Sequence, residues 1–219
     1  FLSLEYSFEQ LIAKVAELEL GPGLEVVGFQ SIRGFPLVSD KFAAEFRELV
    51  DRYGLVPTCL GINADIAIRR GTSMSIDESV AYHTAQIQAA AKLGFPVARY
   101  QFAAGPEVIR RLAPVAEKLQ VKLALEVDAP HNVDSPLLMA YREMYQREAS
   151  PYLGFIPDFG SCARTVPPAY LANLRERGIS QAMIELALEA WRGEGDATER
   201  RSQFQKHAAV AGATPETIS

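Results

Sequence analysis

An α/β fold, a (β/α)8 TIM barrel that is incomplete, is what this 219-residue sequence predicts. Three observations carry the expectation. Apolar runs with strand character begin at residues 24, 55, 95, 121 and 152. Stretches with apolar residues at helical spacing lie between them, and such units build parallel sheets because each crossover helix returns the chain with the same hand. Finally, Gly21-Pro22-Gly23 precedes the first strand, whereas an open doubly wound sheet carries a Gly-rich phosphate turn after it. A complete barrel needs about 250 residues, and about five or six of its eight units are accounted for here.

Taken in order, Ser7-Phe-Glu-Gln10 has the form of a capping box and opens a helix with Leu11, Ile12, Val15 and Leu18 on one face. The strand from Leu24 to Phe29 leads into a polar loop from Gln30 to Pro36. Asp40 is placed to cap the next helix, whose buried stripe is Phe42, Phe46, Leu49, Val50 and Tyr53. The strand from Leu55 to Gly61 exits into a long loop over 62–73. Ser75-Ile-Asp-Glu78 is a second capping box, and Gly94 is its helix's stop signal. Phe95 to Phe102 reads as a strand, and Gly105-Pro106 starts a helix with Ile109, Leu112, Ala116 and Leu119 inward. The strand from Val121 follows, then a helix from Ser135-Pro136 to about Glu148, and the strand from Tyr152.

Beyond Asp158 the repeat breaks. Pro167-Pro168 opens a helix running to Gly178, and Ser180 caps another with Ile184, Ala187, Leu188 and Trp191 inward. We expect one domain over 1–219 with a helical insertion over 167–212. The chain opens without Met on what reads as the tail of a strand, and Thr214-Pro215-Glu216 starts a helix without a body. Truncation at both ends is the expectation these features give.

Net charge is −5, and the basic pairs Arg69-Arg70, Arg110-Arg111 and Arg200-Arg201 are isolated, which argues against a nucleic-acid groove. No apolar run approaches the length of a membrane span, and these residues do not open on a basic-then-apolar pattern. Cys59 and Cys162 are too few for a disulfide framework, so a cytoplasmic home is expected.

Two carboxylates stand out. Glu126 ends the apolar run Val121-Lys-Leu-Ala-Leu, and Asp158 ends Tyr152-Leu-Gly-Phe-Ile-Pro, 32 residues later. Period-two alternation puts Leu123, Leu125 and Val127 on one face and Ala124, Glu126 and Asp128 on the other, so Glu126 points into the barrel mouth if the leucines face the helices. Active sites lie at this rim. Carboxylate oxygens suit a hard divalent cation, which makes Glu126 and Asp158 half of a metal site; the alternative is that each caps its loop or pairs with an arginine. His131 is placed for acid/base work or a hydroxyl contact, with loop packing as the alternative. Gln30, Asn63 and Gln101 stand at or beyond strand ends, where amides can bind sugar hydroxyls. Arg164 either holds an anionic substrate group or pairs with Asp158. His83 and His207 read as structural or solvent-facing. Asp158-Phe159-Gly160 spells a kinase motif without the accompanying kinase loops, and no Gly-x-Ser-x-Gly elbow occurs.

The segments Leu-Ala-Leu-Glu126-Val-Asp-Ala-Pro-His131 and Ile-Pro-Asp158-Phe-Gly resemble the sugar phosphate isomerase/epimerase family of the xylose isomerase-like TIM-barrel superfamily, over residues 1–165. That resemblance implies a divalent ion, Mn²⁺ or Mg²⁺ with Zn²⁺ or Co²⁺ as alternatives, held by Glu, Asp, His and Glu from successive later strands. Glu126 and Asp158 match the first two. No strands carrying the other two are read here, so the chain taken alone is expected to be inactive and the intact protein an enzyme. The resemblance further implies a small carbohydrate substrate and proton transfer through a metal-stabilised enediolate, with Glu126 as ligand and proton acceptor. Many relatives carry His two residues past the first Glu, where Asp128 stands. The helix from Pro167 and the insertion to Trp191 are similar to the barrel subunit of C-glycoside deglycosidases. That likeness implies an oxidised C-glycoside, a metal and a small β-rich partner subunit, in place of a homo-oligomer. A third reading is a non-catalytic sugar-binding or assembly subunit. Endonuclease IV shares the superfamily but uses a histidine-rich zinc site that three scattered histidines do not supply.

Overall fold

The computed structural model describes residues 5–63, 71–128, 131, 134–162 and 165–212. Two compact units divide it, Phe1–Ser161 and Cys162–Ser219. In the first, helix α1 (Phe8–Glu17) begins at the expected capping box: Gln10 N donates to Ser7 Oγ, and Ser7 N to Gln10 Oε1. Ile12 is buried, but Leu18 is 55% exposed, because the helix stops at Glu17 and Leu18 caps its C-terminus instead of extending its face.

Strand β1 (Gly23–Val27) runs directly into a single helical turn, α2 (Gly28–Ser31). Gln30 therefore sits in a helical turn where a loop was expected. Ahead of α3 (Asp40–Arg52), Ser39 performs the capping, its side chain accepting from Phe42 N. Asp40 is the first helical residue and pairs with Lys92 Nζ at 2.7 Å, which holds its carboxyl below the usual range. Serine takes the cap because residue 39 is the one in extended conformation, with φ −72° and ψ 157°.

Strand β2 (Val56–Gly61) and helix α4 (Ile76–Leu93) follow, α4 starting at the Ser75–Glu78 capping box and ending at Gly94, whose φ of 83° suits glycine. The third strand is shorter than expected, β3 being Val97–Tyr100, because Phe102 enters a 3₁₀ turn, Phe102–Ala104. Next come α5 (Pro106–Leu119), β4 (Lys122–Val127), α6 (Pro136–Glu148) and β5 (Leu153–Pro157).

These five strands form one all-parallel sheet in the order β1-β2-β3-β4-β5. Its outer face is the core: Leu24, Val26, Leu60, Ala98, Tyr100, Leu123 and Leu125 are buried with Phe46, Ile87, Leu93, Ile109 and Leu112 from the helices. Phe155 continues that face on β5 yet is 40% exposed, although its ring packs on Tyr145 at 4.7 Å. The open barrel expected from the repeat is the architecture seen.

In the second unit, α7 (Pro168–Glu176) is followed by α8 (Gln181–Arg192), capped by Ser180, and by α9 (Ala197–Val210), where Asp196 and Glu199 form a capping box. Met183 and Ile184 are buried. Trp191 was expected inward and is exposed; it stands in the last turn of α8, where it lines an open pocket with Phe204. His207 is exposed on α9. No helix among the described residues is long and apolar enough to cross a membrane.

His83 is structural, fully buried on α4. Its Nδ1 lies 2.7 Å from the Ser79 carbonyl, which fixes that nitrogen as the donor and leaves Nε2 a lone pair with no hydrogen-bond partner among the described residues. Burial pulls its pKa below the ordinary value, with the Ser79 bond acting the other way. The unfolded chain then binds a proton that the folded one resists. Stability is therefore complete above the ordinary histidine pKa of about 6.5 and falls as pH drops below it, with a slope of at most ~1.4 kcal/mol per pH unit. Urea unfolding between neutral and mildly acid pH should show this loss, and His83→Gln should flatten it; an undiminished slope in the variant would assign the loss to other groups.

Candidate active site at the strand ends

Strand β4 decides how the site is built. Its even and odd residues part company: Leu123, Leu125 and Val127 are buried toward the helices, whereas Ala124 and Glu126 take the inner face, as alternation predicts. Parallel register carries that face across the sheet, matching Ala124 to Arg99 on β3, Arg99 to Gly61 on β2, and Gly61 to Val27 on β1. Two positions before Val27, Glu25 shares its parity.

Three charges consequently meet on the inner face. Arg99 Nε donates to Glu25 Oε1 at 2.7 Å, and Arg99 Nη1 donates to Glu126 Oε2. The arginine and Glu126 side chains are only 16% and 19% exposed, against 42% for Glu25, so the Arg99–Glu126 end is the more sheltered. Burial alone would lower the arginine pKa, but the hydrogen bond and charge of Glu25, and then the charge of Glu126, outweigh it and raise the value. Gly61 makes room for the bridge. A Cβ there would meet Arg99 Nη2 at 3.1 Å and the Val27 Cα at 3.4 Å. Cys59, in register with Glu25, is buried beside this network as a free thiol. Burial first, and the Glu25 charge second, push its pKa up to about 11 against the opposing pull of Arg99.

Asp158 continues the ladder beyond β5, its N–H donating to the Val127 carbonyl at 2.9 Å. Glu126 and Asp158 therefore end adjacent parallel strands, with Glu126 in register with Ile156. Their carboxylates are engaged differently. Asp158 Oδ1 accepts from Gly160 N at 2.7 Å, capping the 3₁₀ turn Phe159–Cys162, while Glu126 Oε2 belongs to Arg99. Among the described residues no group of three or more His, Cys, Asp or Glu gathers as a metal-binding cluster.

The other candidates lie at the same strand exits in different states. His131 N donates to the Asp128 carbonyl, and its ring packs on Phe102 with centroids 4.2 Å apart. Gln101 is exposed at the start of the 3₁₀ turn after β3, and Gln30 is exposed in α2. Asn63 is clasped through its backbone by the Gln86 side chain, with both bonds at 2.8 Å, and its Nδ2 donates to the Tyr82 hydroxyl at 3.3 Å. Arg164 lies outside the described residues.

Glu25, Arg99 and Gly61 were not singled out from sequence. A signal for the charged pair existed: Glu25 interrupts Leu24-Glu-Val-Val, and Arg99 interrupts Val97-Ala-Arg-Tyr, both in strand interiors where a charge needs a partner.

No protein-family model matches the chain. It is 44% identical over 191 residues to a C-glycoside deglycosidase alpha subunit of Microbacterium trichothecenolyticum, covering 87% of this chain and 52% of that protein. A 3'-dehydrocarminate deglycosidase alpha subunit of a Microbacterium species is 39% identical over 208 residues, 92% of this chain and 60% of that one. The chain is a homologue of the C-glycoside deglycosidase alpha subunits. It spans between half and three fifths of the length of these two. In solved structures, a D-psicose 3-epimerase matches with TM-score 0.55 and 18% identity over 70% of this chain and 58% of that one. A xylose isomerase-like TIM-barrel protein of Mycobacterium smegmatis in complex with magnesium matches with TM-score 0.53 and 15% identity over 84% and 65%. These two similarities show the fold: the homologue of the deglycosidase subunits is built on the TIM-barrel plan.

Because its thiol is buried and held protonated, Cys59 is expected to resist a small alkylating reagent at pH 8 in the native protein and to react once urea exposes it. Peptide mapping of the alkylated protein tests this; rapid native labelling of Cys59 would contradict the described burial.

Proposed function

We propose that this chain forms part of the barrel of a deglycosidase that cleaves the bond between a sugar and the carbon of its aglycone, after the sugar has been oxidised to a ketone. The observation that carries the reading is the 44% identity to a C-glycoside deglycosidase alpha subunit over 87% of the chain. The name of another relative, a 3'-dehydrocarminate deglycosidase, supplies the ketone's position.

The chemistry suits what the strand ends offer. A ketone at sugar C3 acidifies the C2–H bond. Removing that proton and expelling the group at C1 breaks the C2–H and C1–C bonds and forms a C1–C2 double bond, while the departing aglycone carbon takes a proton. The step balances without an oxidant or reductant. Glu126 is the base: Arg99 fixes one carboxylate oxygen, and Oε1 has no hydrogen bond among the described residues. His131, at the exit of β4, is the proposed proton donor to the aglycone. Asn63, Gln101, Gln30 and Arg164 are proposed to orient sugar or aglycone polar groups.

Glu126 and Asp158 are hard oxygen donors on neighbouring strand ends, and the unbonded Oε1 fits them to a divalent cation such as Mn²⁺ or Mg²⁺. Such an ion would supply Lewis acidity toward the ketone oxygen. Because the relatives are named alpha subunits, a second subunit is proposed as partner. The helices over 167–212 are proposed as an insertion within the barrel, and a reducing cytoplasm suits the free, buried Cys59.

Glu126→Gln in the full-length protein, assayed with any partner subunit and Mn²⁺ for aglycone release from a 3-keto C-glycoside, should lower kcat by about 10²–10⁴-fold. Release at the parental rate would remove Glu126 from the mechanism. Inertness of the parent on this substrate, together with exchange of a ketose C–H for solvent deuterium, would favour the isomerase/epimerase reading.

A further inference from the structure

A carboxylate acts as ligand or as base through an oxygen that is presented, and that oxygen is steadied when the other is fixed. Resting on the proposed role of Glu126, we infer that Arg99, rooted on Glu25, is its positioning residue: it immobilises Oε2 and leaves Oε1, which has no hydrogen bond among the described residues, for cation or substrate.

Four features support the assignment. Arg99 uses two different nitrogens on the two carboxylates, Nε on Glu25 and Nη1 on Glu126, so its planar fork is held from both sides. A lysine point charge cannot span both with the same geometry. The fork crosses β2 only where Gly61 leaves room, since a Cβ there would lie 3.1 Å from Arg99 Nη2. The more sheltered ion pair is the one with Glu126, at 16% and 19% exposure. Finally, two carboxylates share one guanidinium, so the network retains a net negative charge toward an arriving cation.

Mn²⁺ alone, titrated calorimetrically into the full-length protein, gives a test in which the sign is decisive. Arg99→Met deletes a positive charge beside the site, and Coulomb attraction alone would then tighten Mn²⁺ binding. Positioning predicts the reverse, a weakening of about tenfold. Arg99→Lys, which keeps the charge and loses the fork, should recover only part of the affinity, and Glu25→Gln should weaken binding a few-fold. Thermal melts of each variant separate these changes from loss of fold. Tighter or unchanged binding by Arg99→Met overturns the inference, and if that variant does not fold, unchanged binding by Arg99→Lys does so. A parent that takes up no Mn²⁺ overturns the inference and the proposed metal site together, whereas parental binding indifferent to Arg99 leaves the metal site standing.

Discussion

The burial of Leu123, Leu125 and Val127 against the helices is the constraint from which the rest of the site follows. Three apolar side chains at alternate positions leave the intervening residues no choice of face. Glu126 is consequently committed to the inner face of the sheet, where its side chain is only 19% exposed and an unpaired charge is costly. Arg99 answers that cost from the next strand, and Glu25 shares the arginine from two strands away. A packing requirement on one face thus produces an electrostatic network on the other.

The expenditure of space is equally telling. Arg99 reaches Glu25 across a strand whose local residue is Gly61. In a strand interior glycine is usually a weakness, tolerated where another group must approach the backbone closely. Here that group is a guanidinium. Cys59, one alternation earlier on the same strand, is small enough to be buried below it as a neutral thiol.

Much of this was legible in the sequence, and the boundary falls where local information ends. The Ser7 and Ser75 capping boxes, the Gly94 stop and the alternation around Glu126 each depend on residues within a few positions, and the structure has them as read. Asp40 and Leu18 were misplaced by a single residue at a helix end, where two neighbouring polar groups compete for one cap, or one more residue ends the turn. The Glu25–Arg99 pair was invisible for another reason: it joins residues 74 apart through cross-strand register, which no local pattern encodes. Its two members could be flagged as charges in strand interiors, but not matched to each other.

The strand order has a consequence for how the chain acquires its shape. Every hydrogen-bonded neighbour of a strand is the one made just before or just after it, β1 with β2 through to β4 with β5. A nascent chain leaving the ribosome can thus dock each new strand onto an edge already formed, without waiting for a distant segment to be synthesised. Glu25 and Arg99 would join at the second such docking, and Glu126 would find its guanidinium already assembled at the third.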